Sequence, residues 1–219
     1  MFFRATSAWM FFVFVLTVAG TANAVDKALT RAQALKAITQ PAPVARRAGA
    51  LRLGELGTMA DADRLVARLA DADPQVRELA AEAMWKIWGR SNDRAVDALY
   101  QQGIAQMAES KLVEAEATFS KIIERKPAFA EGWNKRATVR YLLGSYEASL
   151  KDCDEVLKRN PNHFGALSGY AQIYVNLGDF ERAIDYFERA LDVNPNLAAA
   201  AIAIQFLKQQ VEERRRHTT

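Results

Sequence analysis

Leu167 to Pro195 reads LSGYAQIYVNLGDFERAIDYFERALDVNP, and the fold is decided in these residues. Gly178 marks a turn between two segments, and Asn194-Pro195 ends the second of them. Proline has no amide hydrogen to donate, and it disfavours helical geometry in the residue before it. Working outward, Pro127, Pro161 and Pro195 stand 34 residues apart, Asn160-Pro161 repeats the Asn-Pro stop, and Gly144 repeats the turn. A fixed period of this length is the signature of a repeat architecture.

Aligned on the prolines, the chain falls into columns. Gly103, Ala137 and Ala171 form a small-residue column, and Ala115, Ser149 and Ala183 form a second. Phe119, Cys153 and Phe187 form a bulky one, followed by Ile122, Val156 and Ala190. Two helices that cross closely need a small residue where their backbones approach, with large residues filling the flanks. Each period is therefore expected to be a pair of antiparallel helices.

These columns resemble the tetratricopeptide repeat family. The third unit matches it with Ala171, Tyr174, Gly178, Phe180, Ala183, Phe187, Ala190 and Pro195; the second keeps Trp133, Ala137, Gly144, Tyr146 and Pro161. The first keeps Gly103, Ala115, Phe119 and Pro127 but has Ser110 where the turn glycine is expected. The resemblance implies an all-α fold, a right-handed α-solenoid with repeats at 96–129, 130–163 and 164–197. A last helix within 198–219, running from Ala198 to about Arg215 and ending in a basic tail, is expected to cover the open end.

The first half differs. VARRAGALRLGELG from Val44 and VRELAAEAMWKIWG from Val76 align at an offset of 32 residues. Between them Arg64 to Ala70 makes a short amphipathic helix, and Asp71-Ala72-Asp73-Pro74 supplies a capping acid followed by Pro at the first helical position. Residues 44–90 resemble a HEAT repeat of the short bacterial kind. One and a half units are too few to stand alone, so the segment is expected to stack directly on the first tetratricopeptide unit. Asp26 to Thr39 reads as a further helix, ended by Pro41 and Pro43, within a connecting stretch of 25–43.

The N-terminus carries the parts of a secretory leader in order: Arg4, the apolar run Ala8 to Ala19, and Ala22-Asn23-Ala24. Residues 1–24 are expected to be a signal peptide cleaved after Ala24, with an uncleaved anchor as the alternative. The expected location is periplasmic or secreted, without stable membrane insertion after cleavage. Removal of Arg4 lowers the formal charge from +3 to +2. Residues 25–90 hold 11 basic and 8 acidic side chains, and residues 91–219 hold 17 and 18. Neither half forms the single-sign field that nucleic acid requires. Cys153 is the only cysteine, which excludes an intramolecular disulfide.

No catalytic set emerges. Phosphate-binding glycine loops, GxSxG turns and Cys or His clusters at metal-ligand spacing are absent from the sequence, so no cofactor, no metal and no enzymatic activity are expected. His163 follows an Asn-Pro-Asn stop and His217 lies in the tail; both read as loop or tail residues. Cys153 occupies an inward column and reads as a buried thiol, the alternative being a redox or enzyme-accessory role. Trp85 and Trp88, three apart on one helix, read as core at the junction with the next repeat or, alternatively, as an exposed patch. Arg136 and Arg140 fall in columns the family fills with apolar and aromatic residues. Either they pair internally with Asp152 and Glu155, or one projects into the groove as an anion contact.

The family uses the concave face, built from the first helix of each unit, to hold an extended or helical peptide. Carried over by position, the groove residues are Tyr100, Gln101, Ile104 and Met107, then Asn134, Lys135, Thr138 and Tyr141, then Ser168, Gln172 and Asn176. Tyr100 and Tyr141 are expected to act as flat anchors. The lining does not match the subgroup that clamps a C-terminal carboxylate, which wants Lys and Asn where Tyr100 and Ile104 stand. A non-catalytic adaptor for an unidentified protein or peptide, in a setting such as envelope assembly, is the leading expectation. A self-associating module and a solvated, unused groove are its alternatives.

Overall fold

A computed structural model describes residues 28–218, and among them the chain forms eleven α-helices and no strand. The leader expected at residues 1–24 lies outside the described residues. The helices are α1 (Arg31–Ala37), α2 (Pro43–Leu56), α3 (Ala62–Val66), α4 (Pro74–Trp88), α5 (Arg94–Ala108), α6 (Leu112–Arg125), α7 (Ala130–Leu142), α8 (Tyr146–Arg159), α9 (Phe164–Leu177), α10 (Phe180–Val193) and α11 (Ala198–Thr218).

The punctuation read from the sequence sets these boundaries. α6, α8 and α10 end at Arg125, Arg159 and Val193, each two residues before its proline. Gly144 and Gly178 take φ of 75° and 77°, left-handed geometry in which a Cβ is strained. Ser110, at the equivalent turn, takes the same geometry with φ 59°. The turn shape is thus kept where the glycine is not. α1 is shorter than the stretch expected from Asp26 to Thr39, because the Thr30 hydroxyl accepts from the Gln33 amide while the Gln33 side chain accepts from the Thr30 amide.

Helices α5 to α10 pair as three antiparallel hairpins, joined through α6 with α7 and α8 with α9. α11 packs on α10 and closes the stack, burying Ala200, Ile204, Leu207 and Val211. The small-residue column does what its chemistry requires. A Cβ added at Gly103 would stand 2.6 Å from the ring of the fully buried Phe119, and the Ser149 hydroxyl donates to the Ala137 carbonyl at 2.7 Å.

The N-terminal helices form their own layer. α2 packs against both α1 and α4, around Ala34, Ile38, Leu53, Leu65, Leu69, Ala80 and Met84. Each fully buried Leu or Ile there contributes about 1.5–3 kcal/mol of transfer free energy. Three bidentate ion pairs pin the layer: Arg31 with Asp61, Arg46 with Asp71, and Arg47 with Asp73, which also caps α4.

The layer does not stack simply on the first tetratricopeptide hairpin, as its sequence suggested. It lies along the edge where second helices turn into the next first helices, and its core includes Phe164 with Val193 and Leu197 packed against it. Trp88 stacks on His163 with ring centroids 4.2 Å apart, Trp85 meets Phe164 edge-on at 5.3 Å, and the Asn196 amide donates to the Leu69 carbonyl at 2.7 Å. Two tryptophans on α4 find apolar and aromatic area on turns of the second and third units, and that burial sets the docking.

Candidate functional site

Four of the eleven groove positions are exposed on the first helices: Gln101, Thr138, Gln172 and Asn176. Tyr141 and Ser168 are half-buried beside them. The Asn176 amide donates to the Tyr141 hydroxyl at 3.0 Å and to the Gln172 carbonyl at 2.9 Å, which ties α7 to α9 at the inner wall. Tyr141 and Gln172 are shared by two hollows. One, of about 60 Å³, runs down to Ala137, Ser149 and Cys153; the other, of about 250 Å³, is lined by Val175, Phe180, Phe187, Ala203, Phe206 and Leu207.

The remaining positions turn elsewhere. Tyr100, Ile104 and Met107 pack against Phe119 and Phe129 in the first hairpin's core, so Tyr100 is not a flat anchor in the groove. Its hydroxyl donates to Glu131 at 3.3 Å; burial first, then the Glu131 carboxylate, raise its pKa far above the ordinary phenol value. Asn134 is buried, donating to Glu131 at 3.0 Å, and the Lys135 ammonium lies 3.1 Å from the same carboxylate.

Glu131 is therefore the hub of a buried polar cluster that sequence reasoning missed. Its other oxygen stands 3.0 Å from Nε2 of His163, a residue read as an ordinary loop histidine but closed off from water entirely. Nδ1 of that ring accepts the Ala166 amide at 3.0 Å, so the proton on Nε2 is the one shared with Glu131. Burial pushes the Glu131 carboxyl up, but His163, Lys135 and Asn134 outweigh it and hold it well below the usual carboxylate range. No column or motif in the sequence singles out Glu131 or pairs it with His163, 32 residues on.

Arg136 and Arg140 are engaged internally. Arg136 grips Asp152 with two hydrogen bonds of 2.9 and 2.8 Å and donates to Ser120 at 3.1 Å. Arg140 reaches Asp152 at 2.9 Å and Glu116 at 2.7 Å. Their suggested anion contact in the groove gives way to this network, and the second acid is Glu116 on α6; Glu155 instead pairs with Lys158 and Arg159. Cys153 is 2% exposed, and burial, with help from Asp152 and Asp154, pushes its thiol up to about 12. This burial agrees with the reading of Cys153 as a core thiol.

α11 was expected only as a cap, yet it contributes Ala203, Phe206 and Leu207 to the larger hollow, with Phe206 59% and neighbouring Ile202 71% exposed. It stands where the first helix of a fourth unit would stand. Among the described residues no helix is long and apolar enough to cross a membrane, and no group of three or more His, Cys, Asp and Glu is placed to hold a metal ion.

Helix pairs of this period, stacked with small residues at their crossings, define an α-solenoid of helical repeats. Two tetratricopeptide repeat family models match, over residues 100–164 and 141–214. A tetratricopeptide repeat-containing protein of Rhizobium etli is 31% identical over 150 residues, 68% of this chain and 74% of that protein. The chain belongs to the tetratricopeptide repeat family. A small glutamine-rich tetratricopeptide repeat-containing protein of Dictyostelium discoideum is 32% identical over 45% of this chain and 29% of its own length. Among solved structures, the Sgt2 tetratricopeptide domain from Aspergillus fumigatus superposes with a TM-score of 0.53 at 21% identity, over 56% of this chain and 82% of that one. The first such domain of Spaghetti (RPAP3), bound to the HSP90 peptide SRMEEVD, gives 0.52 at 21% identity, over 53% and 93%. At these identities the likeness to solved structures is one of fold.

Proposed function

We propose that this protein is a non-catalytic adaptor, periplasmic or secreted, that holds a peptide segment of a partner protein in its inner groove, with envelope assembly as its setting. The location rests on the leader-like order of Arg4, the apolar run and Ala22-Asn23-Ala24. The HEAT-like segment at 44–90 serves in this reading as a buttress along the turns of the repeats. One observation carries the binding role: an apolar cleft of about 250 Å³ opens beside Tyr141, with the exposed amides of Gln172 and Asn176 at its rim. An apolar side chain seats between Tyr141 and Phe206, and the rim amides meet the backbone on either side of it. The peptide is not gripped by a carboxylate clamp, since Tyr100 and Ile104 are committed to the core.

Selection of a random peptide library on the purified chain tests this reading. The expected outcome is a family of peptides sharing one large apolar residue, with binding weakened about tenfold or more by Phe206→Asp and by Tyr141→Ala. Selected peptides that bind both variants as well as the parent would remove the groove from the proposal. The exposed Ile202 and Phe206 also favour a second reading, self-association through α11. Light scattering separates the two, because a monomer at high protein concentration eliminates self-association.

A further inference from the structure

A second cleft, of about 290 Å³, lies away from the groove where the N-terminal layer meets the turns of the repeats. Its walls come from both: Ile87, Trp88 and Arg90 on one side, and Lys126, Phe129 and Arg159 on the other, with Asn160 also in the lining. None of the lining side chains is a carboxylate, while three are cationic. Arg90 is tied to the Gly57 and Gly54 carbonyls, and Arg159 to the Pro127 carbonyl and Glu155. Lys126 has no carboxylate within ion-pair distance among the described residues. The first turn of α7 also borders the cleft through Phe129 and Ala130, and it has no side-chain cap; the Gly132 amide is taken by the Phe129 carbonyl, which leaves those of Ala130 and Glu131 to add partial positive charge.

An independent observation points to a missing acceptor. Among the described residues, two buried side-chain polar atoms lack a hydrogen-bond partner, the indole nitrogen of Trp88 and the amide nitrogen of Asn160. Both residues line this cleft, and both are more than nine-tenths buried, at 4% and 5% exposure. Buried donors are almost always paired, so two unpaired ones at one place are unusual in a folded core. Both nitrogens are closed to solvent, so an occupant's oxygens reach them only if the cleft wall shifts to admit them.

We propose that this cleft binds a small organic anion, an apolar or aromatic body carrying one carboxylate or phosphate head. The volume is at the lower end of small-molecule sites and exceeds what a bare oxyanion fills. The head would take Lys126 and the α7 amides, and a small shift of the cleft wall would bring its oxygens to the Trp88 and Asn160 donors. The body would lie against Ile87 and Phe129. Because the cleft is built from both halves of the chain, an occupant would clamp the N-terminal layer onto the repeats.

The test is a nitrogen-15 NMR titration of the full chain with phenyl phosphate, phenylacetate and inorganic phosphate, following the Trp88 indole and Asn160 amide signals; Trp88→Phe assigns the former. Expected are saturable shifts of both signals with at least one aryl anion, weakened about tenfold by Lys126→Glu and unchanged by Phe206→Asp. Which aryl anion binds tells a phosphate head from a carboxylate head. Inorganic phosphate binding as tightly as the aryl anions overturns the requirement for an apolar body. Absence of saturable shifts at millimolar ligand, or equal affinity in a folded Lys126→Glu variant, overturns the site.

Discussion

Glu131 on α7 and His163 at the start of α9 face each other at 3.0 Å, 32 residues apart in sequence and both shut off from water. Their contact fastens α7 to the turn that opens α9, and Trp88, stacked on the same imidazole, fastens the N-terminal layer to that turn. Replacing Glu131 with Ala strands the His163, Asn134 and Lys135 donors together. The expected loss is about 3 kcal/mol, read as a lower urea midpoint.

Acid acts on the N-terminal layer through Asp73, which Arg47 and the Val76 amide hold down to about 2. A carboxyl depressed in the folded state stabilises above its unfolded value, about 3.9, and loses that contribution as pH falls towards the folded value. Asp61 and Asp71 are lowered in the same direction, chiefly by Arg31 and Arg46. Melting temperature followed by circular dichroism is expected to fall between pH 4 and 2. Asp73→Asn, which keeps the cap but not the ion pair, is expected to flatten that fall.

Ser110 holds left-handed geometry at φ 59°, where its Cβ is strained. Ser110→Gly is expected to raise stability by about 0.5–1 kcal/mol, the relieved strain exceeding the extra chain entropy that glycine brings to the unfolded state. Ala at Gly144 or Gly178 moves the other way, since both take positive φ. Thermal melts of the three variants check the sign.

Gly103→Ala places a methyl group 2.6 Å from the Phe119 ring, which is fully buried and cannot swing away. Overpacking of this kind costs about 1–3 kcal/mol. The variant is expected to lower the unfolding midpoint without changing the helical content of its circular dichroism spectrum.

Cys153 lies inside the second and third hairpins against Ala137, Tyr170 and Ile173. A thiol reagent is expected to leave it unmodified in the native chain and to label it at once in urea. Fast labelling of the folded protein would show that this part of the core opens.

The periodic half of the chain was legible because its constraint is local. Each helix pair needs a small residue at its crossing, a turn glycine or its substitute, and a proline stop, and those needs recur every 34 residues whatever lies around them. The groove was legible only in part. Tyr141, Gln172 and Asn176 lie together beside one hollow, as their positions suggested, but Tyr100, Ile104 and Met107 occupy equivalent positions in a first hairpin whose own core draws them inward. Arg136 and Arg140 were legible as needing partners, and Asp152 was one of the two acids named, yet Glu116 belongs to the previous unit and no spacing within one unit points to it.

By itself the sequence determined the helix pairs, their punctuation and the family, since these follow from residue size, proline chemistry and backbone freedom over distances of one repeat. The tertiary structure decided where the N-terminal layer docks, which tyrosine faces the groove, and that Glu131 and His163 meet. Those outcomes depend on which surfaces bury the most apolar area and satisfy the most polar groups once the whole chain is folded, and that competition is settled between segments far apart in sequence.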